Sequence, residues 1–245
     1  MKLLIAIDDT DNLESIGTGR LSRMLSDYLF ERGLIGASTV TRHQFLVHPD
    51  IPYTSHNSSA CIEAEKKGRI EEVIAAAKEF LMRNFHAGAN PGLCVANHEE
   101  VPRELSAFGR RAQEEVLKIR YARDLAERLG VFAWWHGETG QGCIGAMAGV
   151  GLRGTENDGR FIGLKGIRDI KGTMSVRDIL DATPIRTVMS ESGEVLDVRE
   201  EIDTLGWVRP ELRGGFPVLK VVREKEKWVP EGKKKSRQTK KMIRE

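Results

Sequence analysis

The sequence predicts an α/β or α+β fold, and three observations lead to this prediction. Apolar runs of strand length alternate with amphipathic helical stretches as far as about residue 165. After residue 181, short apolar segments separated by glycine-containing turns indicate a β-rich C-terminal region. The chain has 245 residues, of which 40% are hydrophobic and 30% charged. It is therefore long enough to bury a substantial core and too apolar to be disordered as a whole.

The sequence of the N-terminal part predicts a strand, a helix and a second strand, in that order. Residues 2–7 are apolar and end at paired acids, as in a buried strand, and a polar loop follows over residues 8–19. Apolar side chains then recur at helical spacing, namely Leu21, Met24, Leu25, Tyr28 and Leu29. Residues 37–47 are predicted to be extended and to end at a turn at 48–52, where two prolines three residues apart exclude a helix.

The alternation continues through the middle of the chain. The predicted elements are a short strand at 59–64, an amphipathic helix at 69–83, a turn at 90–92, a strand at 93–96, a long helical region at 102–122, a further helix at 124–129 and an apolar strand at 131–135. A helix rich in small residues is expected at 143–150 and a strand at 161–164.

Charge is distributed unevenly along the chain. The 38 basic and 36 acidic residues give a formal net charge of +2. Ten of the basic but only four of the acidic residues lie in 223–245, so the remainder is net acidic. Two interpretations of this basic tail stay open: a solvated, disordered terminus, or an arm that binds the phosphate backbone of RNA.

Composition also excludes several classes of protein. No stretch approaches the roughly 18 apolar residues of a membrane span, and the apolar N-terminal run is too short for a signal peptide. Cys61, Cys94 and Cys143 lack the spacing of a zinc site or a disulfide framework. We therefore expect a cytoplasmic protein without a membrane partner, whose oligomeric state the sequence does not indicate.

The first candidate site is the acidic loop that follows the first predicted strand. Asp8, Asp9 and Asp11 place three carboxylates within four residues, and these repel one another unless a cation or hydrogen-bond donors compensate. Carboxylate oxygens are suitable ligands for Mg²⁺. The alternative is that these acids cap a helix or form an Asx turn.

The second candidate site lies at the start of the first predicted helix. Gly17, Thr18, Gly19 and Arg20 combine flexible glycines with a helix N-terminus, where free backbone N–H groups favour a phosphate. In this interpretation Thr18 binds a phosphate, ligates Mg²⁺ or accepts a phosphoryl group. The segment is not a Walker A loop, because no Lys-Ser/Thr pair follows the glycines. The alternative is that Thr18 caps the helix between flexible glycines.

The third candidate site is a glycine motif. Gly140, Gly142 and Gly145 match the G-x-G-x-x-G pattern of nucleotide-binding turns after an apolar strand. However, the loop at 136–140 is long for the dinucleotide motif, and the glycines are equally explained by close packing of a helix on a sheet.

Other polar residues are weaker candidates. Asp158 is a candidate for a further acid in the site. His43, His48 and His56 are expected to be turn or surface residues rather than metal ligands.

Several of these segments, together with two further ones, occur in one order that resembles the archaeal tRNA-isoleucine 2-agmatinylcytidine synthetase family. The motifs are Asp8-Asp9-Thr10-Asp11-Asn12, Thr18 seven residues after Asp11, His48-Pro49-Asp50-Ile51-Pro52-Tyr53, Asn90-Pro91-Gly92, and Gly140-x-Gly142-x-x-Gly145-Ala146. The resemblance spans roughly residues 3–165 and, more faintly, 213–219. The acidic motif is fairly specific, whereas the glycine motif alone is weak.

The resemblance implies a kinase-like α/β module, which we place at 1–128, followed by a ferredoxin-like module with a β-rich end at 129–222. The basic tail at 223–245 is expected from its composition to be disordered. It implies that ATP and Mg²⁺ are the cofactors. The three acids would be magnesium or phosphate-site residues, and Thr18 would match the family's reactive threonine. Gly17, Gly19 and Arg20 would surround phosphate, and Gly140 and Gly142 would line the nucleotide pocket.

The sequence also departs from the family pattern. A Cys-Thr-Thr segment is here Gly17-Thr18-Gly19, a basic Lys-Thr-Arg is Thr54-Ser55-His56, and a Gly-Arg-Gly is Gly140-Gln141-Gly142. We expect the OB-fold and zinc-ribbon domains of the family to be absent, since no zinc-type cysteine pairs occur.

The resulting hypothesis is an ATP- and Mg²⁺-dependent phosphotransferase or synthetase that acts on RNA or on a small-molecule acceptor. Two alternatives stay open. The basic tail is compatible with an RNA-binding protein without catalysis, and the acidic loop with a regulator that binds nucleotide without turnover. An oxidoreductase that uses the glycine motif is a more distant alternative.

Overall fold

The computed structural model of the chain describes residues 1–12, 15–51 and 56–232. The chain divides into two compact units, Met1–Gly163 and Leu164–Glu245. The mixed α/β fold class predicted from the sequence is confirmed. Among the described residues, none of the helices has the length and apolar character needed to span a bilayer.

The first unit contains six strands and five α-helices within its described residues. In chain order they are β1 (Lys2–Asp8), α1 (Thr18–Glu31), β2 (Ile35–Gln44), β3 (Ser58–Lys66), α2 (Ile70–Asn84), β4 (Gly92–Asn97), α3 (Arg103–Glu114), α4 (Ile119–Leu129), β5 (Phe132–Trp135), α5 (Gln141–Arg153) and β6 (Arg160–Gly163). A short 3₁₀ helix, His98–Glu100, follows β4.

The sheet of the first unit has the strand order β5-β4-β1-β3-β2-β6, and every neighbouring pair is antiparallel. The carboxyl ends of β1, β2 and β5 therefore meet the amino ends of β3, β4 and β6 at one edge of the sheet. We call it the Asp8 edge, after the last residue of β1. The loops that carry the predicted site residues all leave or enter the sheet there.

Helices cover both faces of this sheet. Leu3, Ile5 and Ile7 of β1 pack with α1 and α2, whereas Leu4 and Ala6 pack with α3, α4 and α5. Because neither face of β1 meets water, the strand is apolar throughout rather than alternating. This explains why the N-terminus is a continuous apolar run in the sequence.

The second unit is smaller and β-rich, as the C-terminal sequence predicts. Its described elements are β7 (Thr173–Ser175), α6 (Val176–Ala182), β8 (Thr187–Ser190), β9 (Glu201–Asp203), β10 (Glu211–Arg213), β11 (Phe216–Glu224) and β12 (Lys227–Pro230). β11 pairs with β10 and β12 in antiparallel and with β8 in parallel orientation. Its core includes Val176, Ile179, Ile202, Leu219 and Val221.

Two sequence predictions differ from the observed elements. The helical region predicted over 102–122 is broken after α3, where Glu115 has extended dihedral angles, and α4 starts at Ile119. The break lets Phe108 of α3 and Leu125 of α4 pack into the same cluster. The disorder predicted for the basic tail is wrong at 223–230, because these residues end β11 and form β12. Residues 233–245, and residues 52–55 of the predicted proline turn and its neighbours, lie outside the described part of the chain.

The boundary between the two compact units, at Gly163/Leu164, lies later in the chain than the predicted boundary between the modules at 128/129. β5 pairs with β4, and α5 packs on β1 and β4, so residues 129–163 lie in the first unit. The kinase-like and ferredoxin-like labels stay predictions.

Burial of one face of α1 leads to a prediction about stability. Leu25 is fully buried in the core of the first unit, whereas 39% of the neighbouring Met24 is exposed. We expect Leu25→Ala to lower the free energy of unfolding by about 2–5 kcal/mol, because it removes apolar contacts and leaves a cavity. Met24→Ala is the matched control and should cost much less. Chemical denaturation measures both, and equal losses would contradict the observed orientation of α1.

Candidate active site

The acidic loop leaves the sheet at the end of β1. Asp8 pairs with Gly92, the first residue of β4. Asp9 turns the chain away with a φ of 49°, in the left-handed region that Asp adopts more readily than most residues. The backbone N–H of Asn90 donates a hydrogen bond to the Asp9 carboxylate. The loop is thereby attached to the turn that precedes β4, and we call Asp8, Asp9 and Asp11 the acidic cluster.

The electrostatics of the acidic cluster disfavour three ionised carboxylates. Desolvation raises the pKa of Asp8 to about 8, and repulsion from Asp9 and Asp11 adds to the shift. Desolvation also raises the pKa of Asp9, with a contribution from Asp11, although the Asn90 hydrogen bond opposes it. A cation bound here would replace the proton that Asp8 otherwise retains near neutral pH.

Thr18 is the first residue of α1 and lies against the acidic loop. Its backbone N–H donates to Asp11 Oδ2 at 3.2 Å, and its hydroxyl oxygen accepts from the Thr10 hydroxyl at 3.0 Å. Gly17, with a φ of 81°, occupies the N-cap position, so the alternative in which Thr18 caps the helix is wrong. Asp11 instead accepts a hydrogen bond from the first N–H group of α1. This agrees with the alternative in which an acid of this loop caps a helix.

The glycine motif brings the start of α5 against the end of β1. Gly140 is the N-cap of α5 in a left-handed conformation, with a φ of 66°. A Cβ atom at Gly142 would overlap the backbone of Asn90 and Gly92, and one at Gly145 would overlap the Asp8 carboxylate. The two glycines therefore allow a close approach that no other residue type permits. This confirms close packing of a helix on the sheet, and it also brings the N-terminal turns of α5 to the acidic cluster.

Asn90 connects these parts, although the sequence indicates only a turn at this residue. Besides its backbone contact to Asp9, its side-chain Oδ1 accepts a hydrogen bond from the Thr139 backbone N–H at 3.3 Å. The next residue, Pro91, accepts from the His136 backbone N–H at 2.9 Å. Asn90 thus links the acidic loop to the loop before α5. Its place in the ordered set of motifs was the available signal.

The remaining sequence candidates differ in position. Gly19 and Arg20 follow Thr18 in the first turn of α1, where Arg20 is exposed and Gly19 packs close to Ile162 of β6. Asp158 accepts a hydrogen bond from Gln113 and pairs with His43, with its Oδ1 2.8 Å from His43 Nδ1. Its described contacts are therefore with β2 and α3 rather than with the acidic cluster.

The prediction that His43 lies in a turn or at the surface is wrong. The residue is completely buried in β2, and its Nε2 lies 2.8 Å from the Thr41 hydroxyl. Desolvation lowers the pKa of His43, although the hydrogen bond to Asp158 opposes this. Its partner lies 115 residues away in the chain, so no local signal in the sequence could reveal its burial.

The donor set of the acidic cluster fits a partly hydrated divalent cation. Nowhere in the described part of the chain do three or more His, Cys, Asp or Glu side chains converge closely enough to enclose a metal ion. A closed, all-protein centre is therefore not preformed. Mg²⁺ commonly takes one or two carboxylates and completes its shell with water and phosphate oxygens, and the crowded, desolvated carboxylates suit this mode.

The chain matches no protein-family model. It is 31% identical over 155 residues to the tRNA 2-agmatinylcytidine synthetase TiaS of Methanosarcina mazei, a match that covers 61% of this chain and 35% of the relative. The solved complex of TiaS with its tRNA and ATP is 26% identical, with a TM-score of 0.52, over 62% of this chain and 36% of that one. The structure of a tRNA fluorescent labeling enzyme is 27% identical, with the same TM-score and the same coverage.

The resemblance to the 2-agmatinylcytidine synthetases is confirmed. This chain spans about a third of the length of the synthetases that it matches. The similarity therefore concerns a part of those proteins, and it includes the fold of the matched region.

The raised pKa of Asp8 predicts a pH dependence of stability. An unfolded Asp loses its proton near pH 4, whereas folded Asp8 keeps it until about pH 8. Asp8 therefore binds more protons in the folded than in the unfolded state between these values, so without divalent cations its contribution to the free energy of unfolding should fall as pH rises from about 4 to 8. The free energy of unfolding of Asp8→Asn, minus that of the wild type, should therefore increase over this range, as measured by denaturation at a series of pH values.

The exposed Asp27 on α1 provides the matched control. The stability of Asp27→Asn should change with pH as that of the wild type does. An Asp8→Asn profile parallel to that of the wild type would contradict the raised pKa of Asp8.

Proposed function

We propose that the first unit binds ATP with Mg²⁺ at the Asp8 edge and uses it to transfer a phosphoryl group to, or to activate, an acceptor. One observation carries this proposal: the acidic cluster lies between the N-terminus of α1 and the N-terminus of α5. Helix N-termini favour phosphate oxygens, and the carboxylates favour the cation that accompanies the phosphates. The resemblance to synthetases, one of which was solved with ATP, supports the same conclusion.

In this proposal the acids have different tasks. Asp8 and Asp9 would hold Mg²⁺, and Asp11 would add negative charge while it fixes Thr18 through the backbone hydrogen bond. Bound Mg²⁺ would supply charge neutralisation on the phosphate oxygens. The residues themselves contribute orientation, because Asp8 is fixed against Gly145 and Asp9 against Asn90.

The two glycine segments would accommodate the nucleotide. Gly17 and Gly19 leave the start of α1 accessible to phosphate, with the exposed Arg20 beside them. Gly140 and Gly142 would line the nucleotide pocket at the start of α5. The backbone of Asn90 and Gly92 encloses Gly142, so the nucleotide would contact the residues around Gly142 rather than Gly142 itself.

Thr18 is the proposed reactive threonine, by analogy with the synthetases. Only 8% of the residue is exposed, and its hydroxyl is engaged by Thr10. Phosphorylation of Thr18 would therefore require the contact with Thr10 to break and the start of α1 to open to the nucleotide. Without such opening, Thr18 acts as a positioning residue for the start of α1.

The acceptor is proposed from the relatives alone. Those proteins are named for the modification of a tRNA, and one structure contains that tRNA together with ATP. This chain covers only about a third of them. An RNA nucleotide and a small molecule are therefore both retained as acceptors.

Binding of Mg²⁺ and ATP is the first test of the proposal. We expect Mg²⁺ with ATP to raise the melting temperature of the wild type, and Asp9→Asn to weaken the affinity at least tenfold, because a charged ligand to the cation is lost. Isothermal titration calorimetry gives the dissociation constants, and Asp27→Asn is the control for the loss of one surface carboxylate. A wild type that binds no ATP, or an Asp9→Asn variant that binds it unchanged, would contradict the proposal.

The role of Thr18 is tested by intact mass spectrometry. After incubation with Mg²⁺ and ATP, we expect the wild type to gain the mass of one phosphoryl group and Thr18→Ala to gain none. Thr10→Ala is the matched control, because it removes the hydrogen-bonding neighbour and leaves the Thr18 hydroxyl in place. ATP turnover that continues in Thr18→Ala would show that Thr18 is not the acceptor. ATP binding without turnover in the wild type would favour a regulator.

A further inference from the structure

Two arginines stand directly opposite each other on neighbouring strands of the first unit. Arg42 of β2 is the cross-strand partner of Arg160 of β6, and both residues are partly buried. Side chains in such positions have Cβ atoms about 5 Å apart, and like charges placed there destabilise a sheet. The fold therefore contains an unfavourable juxtaposition that needs an explanation.

The surroundings of Arg42 do not explain it. Within the described residues, no hydrogen bond or ion pair of the Arg42 guanidinium is observed, although neighbouring residues of the sheet form several. Desolvation, and then the charge of Arg160, lower the pKa of Arg42. The pKa of the exposed His56 is also lowered. Desolvation is the larger cause, and the positive charge of Arg42 is the smaller one. The local potential is therefore positive around a group that is partly removed from water.

Strand register places this pair at the proposed ATP site. Ile7, Ala60, Arg42 and Arg160 form one row across β1, β3, β2 and β6. Residues paired in this way point to the same face of the sheet, and Ile7 and Ala60 belong to the core beneath α1 and α2. With strands about 4.8 Å apart, Arg42 lies about 10 Å from Ile7, the residue before Asp8.

The start of α1 lies on the same side. Gly19 approaches Ile162 of β6, which points to the same face as Arg160 two residues earlier. Arg160 is the first residue of β6 and so lies nearer to the Asp8 edge than Ile162 does. The arginine pair therefore lies beside the N-terminal turn of α1, where the positive end of the helix dipole also favours an anion.

We propose that Arg42 and Arg160 form a phosphate-binding subsite at the Asp8 edge. Guanidinium groups bind phosphate oxygens through two parallel hydrogen bonds, and one phosphate between two arginines would offset their mutual repulsion. The ligand chemistry is a phosphate group, either from the polyphosphate of a nucleotide or from the backbone of an RNA acceptor. The inference rests on the proposed function for the place of the subsite, but its test is independent of ATP turnover.

The test compares Arg42→Gln and Arg160→Gln with Arg120→Gln on the full chain. Arg120 lies on α4 with 93% of its side chain exposed, so its loss controls for a change of one positive charge. The probes are tripolyphosphate, ATP with Mg²⁺, and a short single-stranded RNA titrated over a range of salt concentrations. Calorimetry or fluorescence anisotropy gives the dissociation constants.

We expect each subsite variant to weaken binding of at least one probe about tenfold, and Arg120→Gln to weaken none. Loss confined to tripolyphosphate and ATP identifies the nucleotide as the source of the phosphate. If only the affinity for RNA is lost, and its dependence on salt concentration falls by about one phosphate contact, the RNA acceptor is the source of the phosphate. Arg42→Lys keeps the charge but not the paired hydrogen bonds, so it should recover only part of the affinity.

Folding is checked by the melting temperature without anions at low salt. Arg42→Gln removes one of two facing charges, so it should leave the melting temperature unchanged or raise it. If the glutamine variants do not fold, Arg42→Lys and Arg160→Lys decide the question by their affinities.

The inference is overturned if the subsite variants bind all three probes as Arg120→Gln does. In that case an Asp9→Asn variant that still loses ATP leaves the proposed function intact. A wild type that binds none of the probes overturns both.

Discussion

The close approach of α5 to the end of β1 is the constraint on which the rest of the site depends. Gly145 lies against the Asp8 carboxylate and Gly142 against the backbone of Asn90 and Gly92, with no space for a Cβ atom at either position. This contact removes water from Asp8 and holds the turn at 90–92 against the acidic loop. A nucleotide pocket at this edge would therefore take its shape from backbone atoms more than from long side chains.

The same contact explains the charge balance of the cluster. Desolvation is the largest cause of the raised pKa values of Asp8 and Asp9, and repulsion within the cluster comes after it. Such an arrangement reduces stability in the protein alone, and a cation would reverse the effect. Functional sites commonly retain groups of this kind, because the unfavourable interaction disappears when the ligand binds.

Features carried by local patterns were predictable from the sequence. The apolar run of β1, the amphipathic face of α2 and the β-rich end are all observed, and the acidic, threonine and glycine segments do lie at one edge. What the sequence could not predict depends on distant partners. The break between α3 and α4 reflects a shared core, and the burial of His43 depends on Asp158.

Strand register was equally inaccessible. Every pair in the sheet of the first unit is antiparallel, and the alternation of strands and helices in the sequence did not indicate this. Strands that start and strands that end both contribute loops to the Asp8 edge. Arg42 and Arg160 are 118 positions apart in sequence, and only the pairing of β2 with β6 reveals that they face each other.

The acidic cluster and the arginine pair carry opposite charges at two places along the Asp8 edge. Ala60 of β3 and the core beneath α1 stand between Ile7 and Arg42, and the strands hold their positions about 10 Å apart. Asp8 and Arg42 each have a like-charged neighbour in partly desolvated surroundings. A ligand that carries a divalent cation at one end and phosphate oxygens along its length would offset both at once. If the nucleotide supplies the phosphate at the arginine pair, this separation of charge favours a metal-bound polyphosphate over a simple anion or a simple cation, because each of the latter would offset only one of the two groups.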